Sequence, residues 1–134
     1  MMERTFVLIK PDAVKRNLIG KIIAEYEERD LVISEIRMMT ATKERVKSHY
    51  SAHEGKSFFD KIVDYLSSGP VVALVFDGEE AVQRVRQING ATDPKDADQQ
   101  SIRGKYGISS TENSVHASDS PANAEDEIDL WLGI

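Results

Sequence analysis

Two apolar runs, FVLI at 6–9 and VVALVF at 71–76, constrain the fold of this 134-residue chain more than any other feature. Both are far too short to span a bilayer, which takes about 20 apolar residues. Thr5 to Ile9, ended by Lys10-Pro11-Asp12, predicts a buried strand, and VVALVF predicts the clearest strand of all. Between them Ile19, Ile22, Ile23 and Tyr26 recur at i, i+3, i+4 and i+7 against Lys21, Glu25, Glu27 and Glu28, the signature of an amphipathic helix. Leu31 to Met39 predicts a further strand. Thr42 is placed to cap a short helix carrying Val46, His49 and Tyr50. Ser57-x-x-Asp60 has the form of a capping box before a helix with Phe59, Ile62, Val63 and Leu66 on one face. Asp77 with Glu80 is expected to open a helix bearing Val82, Val85 and Ile88, closed by Asn89-Gly90.

Beyond Gly90 the periodicity vanishes as far as Ser114. A connection longer than about 15 residues inside a compact domain is usually functional or disordered. Ser114 to Ser118 predicts a short last strand, and Ser120-Pro121 starts a final helix with proline in its first turn. With no repeat or linker tract, the chain is expected to form one domain over 1–134. Alternating strands and helices suit a parallel α/β sheet. They suit an antiparallel α+β sandwich equally, because alternation does not fix strand order.

Net charge is −6, from 17 basic and 23 acidic residues. Such a surface repels polyanions at long range and disfavours non-specific nucleic-acid binding. An anionic small molecule would need cations gathered locally. Cysteine is absent, which removes disulfides, thiolate catalysis and cysteine-based zinc sites together. No signal-peptide pattern opens the chain, so a cytoplasmic protein without membrane attachment is expected.

Several tempting motifs fail on their chemistry. His53-Glu54-Gly55-Lys56-Ser57 contains GKS, but Tyr50 stands where a phosphate-binding P-loop needs glycine. Asp93 to Asp98 lacks the glycine and the distal glutamate of a calcium loop. His49 and His53 have a helical metal-pair spacing without a clear third ligand; no protein metal site is expected. His116, Ser118 and Asp119 are too close in sequence to line up as a catalytic triad.

The last helix says more. Glu127 falls in the stripe of Ala124, Ile128 and Trp131, where a carboxylate is costly unless paired. It is either a rim residue or a buried partner of one His116 nitrogen, which would leave the other nitrogen unprotonated and nucleophilic. A phosphoryl group on His116 would also lie near a helix N-terminus, whose free N–H groups favour an anion. Lys10, Arg86, Thr92, Arg103 and Asn113 are available donors for a polyphosphate.

NSVHASDS at 113–120 resembles the active-site signature of nucleoside diphosphate kinases, Asn-x-x-His-(Gly/Ala)-Ser-Asp. Further blocks agree in order: ERTFVLIKPDAVKR at 3–16, HYSAHEGKSFFDKIVDYLSSGPVVALV at 49–75, RQINGATDP at 86–94, SIRGKYG at 101–107 and EIDLWL at 127–132. The resemblance covers essentially the whole chain. It implies a ferredoxin-like βαββαβ sandwich with a four-stranded antiparallel sheet, helices on its faces and a long nucleotide-binding loop. It implies transfer of the terminal phosphate of a nucleoside triphosphate, typically ATP, to a nucleoside diphosphate by a ping-pong mechanism through phosphohistidine on His116.

By the same resemblance Glu127 fixes the far imidazole nitrogen and Ser118 hydrogen-bonds Glu127. Lys10 and Asn113 reach the sugar hydroxyls, and Lys10 also the phosphates. Arg86, Thr92 and Arg103 hold phosphate oxygens, Tyr50 sits beside His116, and Phe58 stacks on the base. Mg²⁺ is expected to arrive on the nucleotide phosphates, and the family often forms homo-hexamers or tetramers. Ala117 stands where many members have glycine, and its Cβ is expected to be tolerated; Ser110 and Thr111 lie where the loop returns to the site. Many relatives continue past the Leu-Trp segment, so the end at Ile134 bears on the expected subunit contacts. A catalytically silent nucleotide-binding protein of the same fold is the alternative, and it would be favoured by loss of His116, Glu127 or Lys10, none of which is lost. A histidine phosphotransfer module is the third reading, but such modules are commonly helical bundles with the histidine mid-helix.

Overall fold

The computed structural model describes residues 2–134. Its four strands are β1 (Met2–Ile9), β2 (Val32–Met39), β3 (Val71–Glu79) and β4 (Val115–Ala117), ordered β2-β3-β1-β4. All three neighbour pairs are antiparallel, which resolves the strand-order question in favour of the α+β sandwich. Among the described residues seven α-helices accompany them: α1 (Pro11–Lys15), α2 (Ile19–Glu27), α3 (Lys43–His49), α4 (Phe59–Leu66), α5 (Ala81–Asn89), α6 (Ile102–Tyr106) and α7 (Pro121–Leu132), with a 3-10 turn at Ser51–His53.

The two central strands are apolar without interruption because both faces of the sheet are covered. On one face Val7, Ile9, Leu74 and Phe76 pack with Ile22 and Tyr26 of α2 and Val85 and Ile88 of α5. On the other Phe6, Leu8, Ala73 and Val75 pack with Val46 of α3, Val63 and Leu66 of α4, and Ile128 and Trp131 of α7. Period-two alternation along β1 therefore feeds two cores from one strand. The outer strand β2 is different: Val32, Ile36 and Met38 are exposed.

Local chemistry departs from the sequence reading at three places. Ser57 does not cap α4; the helix begins at Phe59 with Phe58 as its N-cap and no side-chain capping bond, because a turn from Lys56 O to Phe59 N sets its start. Asp77 does not open α5, since β3 runs on through Glu79. Glu80 is left-handed (φ 52°) and makes no side-chain cap there. The cap comes from across the sheet, where Glu3 Oε1 accepts from Val82 N at 3.1 Å. The aperiodic segment after Gly90 contains α6, a helix too short to show a period. Its N-cap Ser101 accepts from Gly104 N at 3.1 Å, and Ile102 is fully buried. Thr42 caps α3 by accepting from Arg45 N, and Ser120 caps α7 through Asn123 N.

Gly90 ends α5 at φ 84°, ψ −176°, a region open essentially to glycine alone. A Cβ there would stand 2.3 Å from Ser101 Oγ, the atom that caps α6. Gly90→Ala is therefore expected to lower unfolding free energy by about 2 kcal/mol or more, from backbone strain plus the clash. Urea denaturation reads the loss; an unchanged midpoint would contradict this account of the turn.

Candidate functional site

Antiparallel pairing of β1 with β4 sets Leu8 opposite His116, so Lys10, two residues past Leu8, reaches the same end of the sheet as the histidine. Lys10 N donates to Ser114 O at 2.9 Å, and Ser114 turns the chain in a left-handed conformation (φ 76°). Asp12 clamps this junction. Its Oδ2 accepts from Ser114 N at 3.1 Å, its Oδ1 accepts from the Tyr65 hydroxyl, and its own N–H donates back to Tyr65 Oη at 2.9 Å. Sequence reasoning missed Asp12 and Tyr65, which are 53 residues apart and carry no joint signal.

The open end of the sheet forms a cleft of about 730 Å³ lined by all the expected nucleotide-site residues: Lys10, Tyr50, Phe58, Arg86, Thr92, Arg103, Asn113, His116 and Glu127. Ser118 is fully buried behind it. His116 Nε2 lies 2.9 Å from Glu127 Oε1, and Ser118 Oγ donates to the same oxygen at 2.7 Å. Burial alone would raise the Glu127 carboxyl, but the His116 hydrogen bond, the two nearby imidazoles and the Ser118 hydroxyl outweigh it and keep the group below its ordinary value. An ionised carboxylate only accepts, so the His116 proton lies on Nε2 and Nδ1 carries the free lone pair.

Lys10 is 7% exposed, and its Nζ donates to Asn113 Oδ1 at 2.7 Å and to Thr111 O at 3.3 Å. Burial pushes the ammonium down to about 8, reinforced by the Arg103 charge and opposed by Asp12. Asn113 Nδ2 donates to Thr92 O and Ser110 O, so the backbone carbonyls of Ser110 and Thr111, not their hydroxyls, knit the loop to the site. Arg103 donates from Nη1 to Gly90 O and from Nη2 to Val115 O, each at 2.8 Å. Among the described residues, Arg103 Nε and Asn89 Nδ2 are buried donors with no partner. Asn89 lines the cleft, and its Oδ1 accepts from Tyr26 Oη at 2.5 Å; sequence reasoning saw it only as a helix end.

Burial drives the Tyr50 phenol up to about 12, with Glu127 adding to the rise. Its ring centroid lies 6.5 Å from that of His116. Phe58 is 41% exposed, with His53 at 5.6 Å between ring centroids and Lys56 Nζ at 5.9 Å from its ring. Arg86 and Thr92 are exposed at the other side of the cleft. Ala117 lies in β4 opposite Val7 and is not among the positive-φ residues, so its Cβ meets no backbone strain.

His49 is not paired with His53 as a metal couple. Among the described residues it clusters with His116 and Glu127, one donor atom of each lying within 4.8 Å of the others. The three do not fit a metal. His49 Nδ1 accepts from Trp131 Nε1 at 2.9 Å, and His116 Nε2 is taken by Glu127. Mixed nitrogen and oxygen ligands also suit Mg²⁺ poorly, since it demands an oxygen octahedron. No helix among the described residues is long and apolar enough to cross a membrane.

The family model described as "Nucleoside diphosphate kinase" matches residues 3–133. A nucleoside diphosphate kinase of Clostridium perfringens is 48% identical over 98% of this chain and 92% of the relative. One from Saccharolobus islandicus is 47% identical over 98% and 96% of the two chains. Among solved structures, the Aquifex aeolicus nucleoside diphosphate kinase superposes with a TM-score of 0.94 at 39% identity, covering 97% of this chain and 94% of that one. The Encephalitozoon cuniculi enzyme superposes with a TM-score of 0.96 at 42% identity, covering 98% and 90%.

A lysine whose folded pKa is about 8 against an ordinary value of 10.5 binds fewer protons folded than unfolded across that interval. Its burial cost is therefore present in full below about pH 8 and relieved as pH rises toward about 10. Lys10→Met is expected to unfold at higher urea than wild type at pH 7, by on the order of 1–3 kcal/mol, with the gap closing between about pH 8 and 10. A gap constant with pH would contradict the buried cation.

Proposed function

The chain belongs to the nucleoside diphosphate kinase family and is a phosphotransferase of that kind, and from that premise we propose that His116 carries the phosphoryl group between nucleotides. The observation that carries this reading is the hydrogen bond of His116 Nε2 to Glu127 Oε1 at 2.9 Å, which leaves Nδ1 as the nucleophile in the cleft. Its lone pair attacks the terminal phosphorus of the triphosphate, forming an N–P bond as the bond to the bridging oxygen breaks and the nucleoside diphosphate leaves. A terminal oxygen of a second diphosphate then attacks the phosphohistidine and returns Nδ1 to its starting state. The two halves mirror one another, so the kinetics are ping-pong.

Glu127, itself held by Ser118, keeps the imidazole proton on Nε2 through both halves and stabilises the positive charge that develops on the ring. Lys10, Arg86, Thr92 and Arg103 hold phosphate oxygens, and electrostatic stabilisation of this kind is most of what phosphoryl transfer asks of a protein. The unpaired Arg103 Nε supports its part in that set. Lys10 and Asn113 take the sugar hydroxyls, Tyr50 flanks the reacting nitrogen, and Phe58 at the cleft mouth offers a flat face to the base. A stacking contact reads no base edge, which suits purine and pyrimidine alike. Mg²⁺ enters as part of the nucleotide substrate.

The whole chain acts in this reading as one catalytic domain in the cytoplasm, with no membrane or nucleic acid required. It assembles as a homo-oligomer, a hexamer or tetramer; the exposed Val32, Ile36 and Met38 on the outer strand support association.

Intact-mass measurement after brief incubation with Mg-ATP tests the reading. Wild type is expected to gain one acid-labile phosphoryl group that GDP discharges, and His116→Ala to gain none. A wild type that binds nucleotide yet stays unphosphorylated would replace the kinase with a binding protein.

A further inference from the structure

A second imidazole stands against His116 without a part in the chemistry above. The His49 ring meets the His116 ring edge-on, with centroids 4.5 Å apart and planes at 78°. Its Nδ1 is fixed from behind by Trp131 Nε1 at 2.9 Å. Trp131 is fully buried and stacks on Phe6 at 6.0 Å between centroids. A buried indole N–H needs an acceptor, and among the hydrogen bonds of the described residues His49 Nδ1 is the one it has. Trp131 and Glu127 are four residues apart on α7, so one helix face holds both imidazoles.

We propose that Trp131 and His49 are positioning residues for the phosphoryl transfer: the indole N–H fixes His49 as a neutral ring protonated on Nε2, and that fixed ring sets the plane of His116. The inference rests on His116 being the nucleophile. The geometry gives the protonation state directly. An Nδ1 that accepts from Trp131 has no proton, so a neutral His49 carries its proton on Nε2. Protonating Nδ1 would set two buried donors against each other at 2.9 Å. Charged and titratable neighbours work the same way or are outweighed. His116 on β4 and Lys10 at the end of β1 disfavour a charge on His49, Glu127 on α7 favours it, and burial prevails, pushing His49 down to about 3. Tyr50 packs on the ring at 4.7 Å between centroids and stays protonated. Arg45 lies over the far ring of Trp131 at 5.9 Å and adds no acceptor.

The consequence is electrostatic as well as steric. A charged His49 would compete with His116 for Glu127, the carboxylate that shares their cluster among the described residues, and would draw the attacking lone pair toward itself. Removing the indole N–H while keeping the aromatic packing leaves the ring buried and neutral but no longer holds its proton on Nε2, so either ring nitrogen can carry it.

Trp131→Phe tests this through two readouts. The first is two-bond ¹H–¹⁵N correlation on unphosphorylated, histidine-labelled protein, where three rings are to be assigned. Wild-type His49 is expected to show a protonated Nε2 and bare Nδ1 from about pH 5 to about pH 8, and in Trp131→Phe to stay neutral with its proton shared between the two ring nitrogens. The second is the single-turnover rate of His116 phosphorylation. The variant is expected to lose about tenfold across about pH 6 to pH 8, because a loosened His49 ring no longer holds the plane of His116. His49→Asn is expected to lose a similar factor, and Trp131→Phe/His49→Asn no more than either alone, because the indole acts only through that ring. A His49 proton on Nδ1, or His49 titrating in wild type within that range, overturns the proposal. So does a Trp131→Phe whose His49 tautomer is unchanged while its rate falls, or an additive loss in the double variant, either of which assigns Trp131 to packing alone. If His116 takes no phosphate, the kinase reading fails, while the first readout still judges the tautomer.

Discussion

Pairing of β1 with β4 through Leu8 and His116 is the constraint on which the site depends. It is a backbone contact between segments more than 100 residues apart, and it brings a buried lysine and a histidine to one end of the sheet. β1 can serve this purpose because it is covered on both faces and flanked on both edges. A strand so enclosed has no freedom to slip, since a one-residue shift would move every side chain to the opposite core. The Asp12–Tyr65–Ser114 clamp then transmits that rigidity to the turn before His116.

Charge in the cleft is organised against the trend of the molecule. A chain with net charge −6 collects Lys10, Arg86 and Arg103 around one opening. Among the described residues Lys10 has no carboxylate hydrogen-bonded to it; its side-chain partners are an amide and a carbonyl oxygen. Such a cation is costly to bury, and an anion bound in the cleft would offset that cost, which is how a preorganised anion site differs from an ordinary ion pair. The half-buried Glu127 carboxylate beside His116 is committed elsewhere, to the imidazole and Ser118. Positive charge thus faces the cleft and negative charge faces the back of the ring.

Much of this was legible in the residues. The period of α2, the apolar runs of β1 and β3, and Pro121 at the start of α7 predict elements close to those observed, because local patterns set them. Glu127 stood out because a carboxylate interrupts the apolar stripe of Ala124, Ile128 and Trp131, and the structure brings its oxygen to His116. Strand order was not readable from periodicity, since parallel and antiparallel layouts share one string, and the family resemblance supplied it. α6 escaped because five residues show no period. The caps at 57 and 77 misled because a local pattern competes with chain direction: the turn at Lys56 delays α4, and β3 extends until Glu3 from the neighbouring strand can cap α5. The Trp131–His49 bond joins residues 82 apart, and no pattern in either segment announces the other.

The central claim is that Glu127 commits Nε2 of His116 and leaves Nδ1 to react. Locating the phosphoryl group on the ring tests it most directly, by ³¹P–¹H correlation on freshly phosphorylated protein or by identifying the phosphohistidine isomer after alkaline hydrolysis. Phosphate on Nδ1 of His116 is the predicted result. Phosphate on Nε2, or on another residue, would contradict the account, because Nε2 could react only with its hydrogen bond to Glu127 broken.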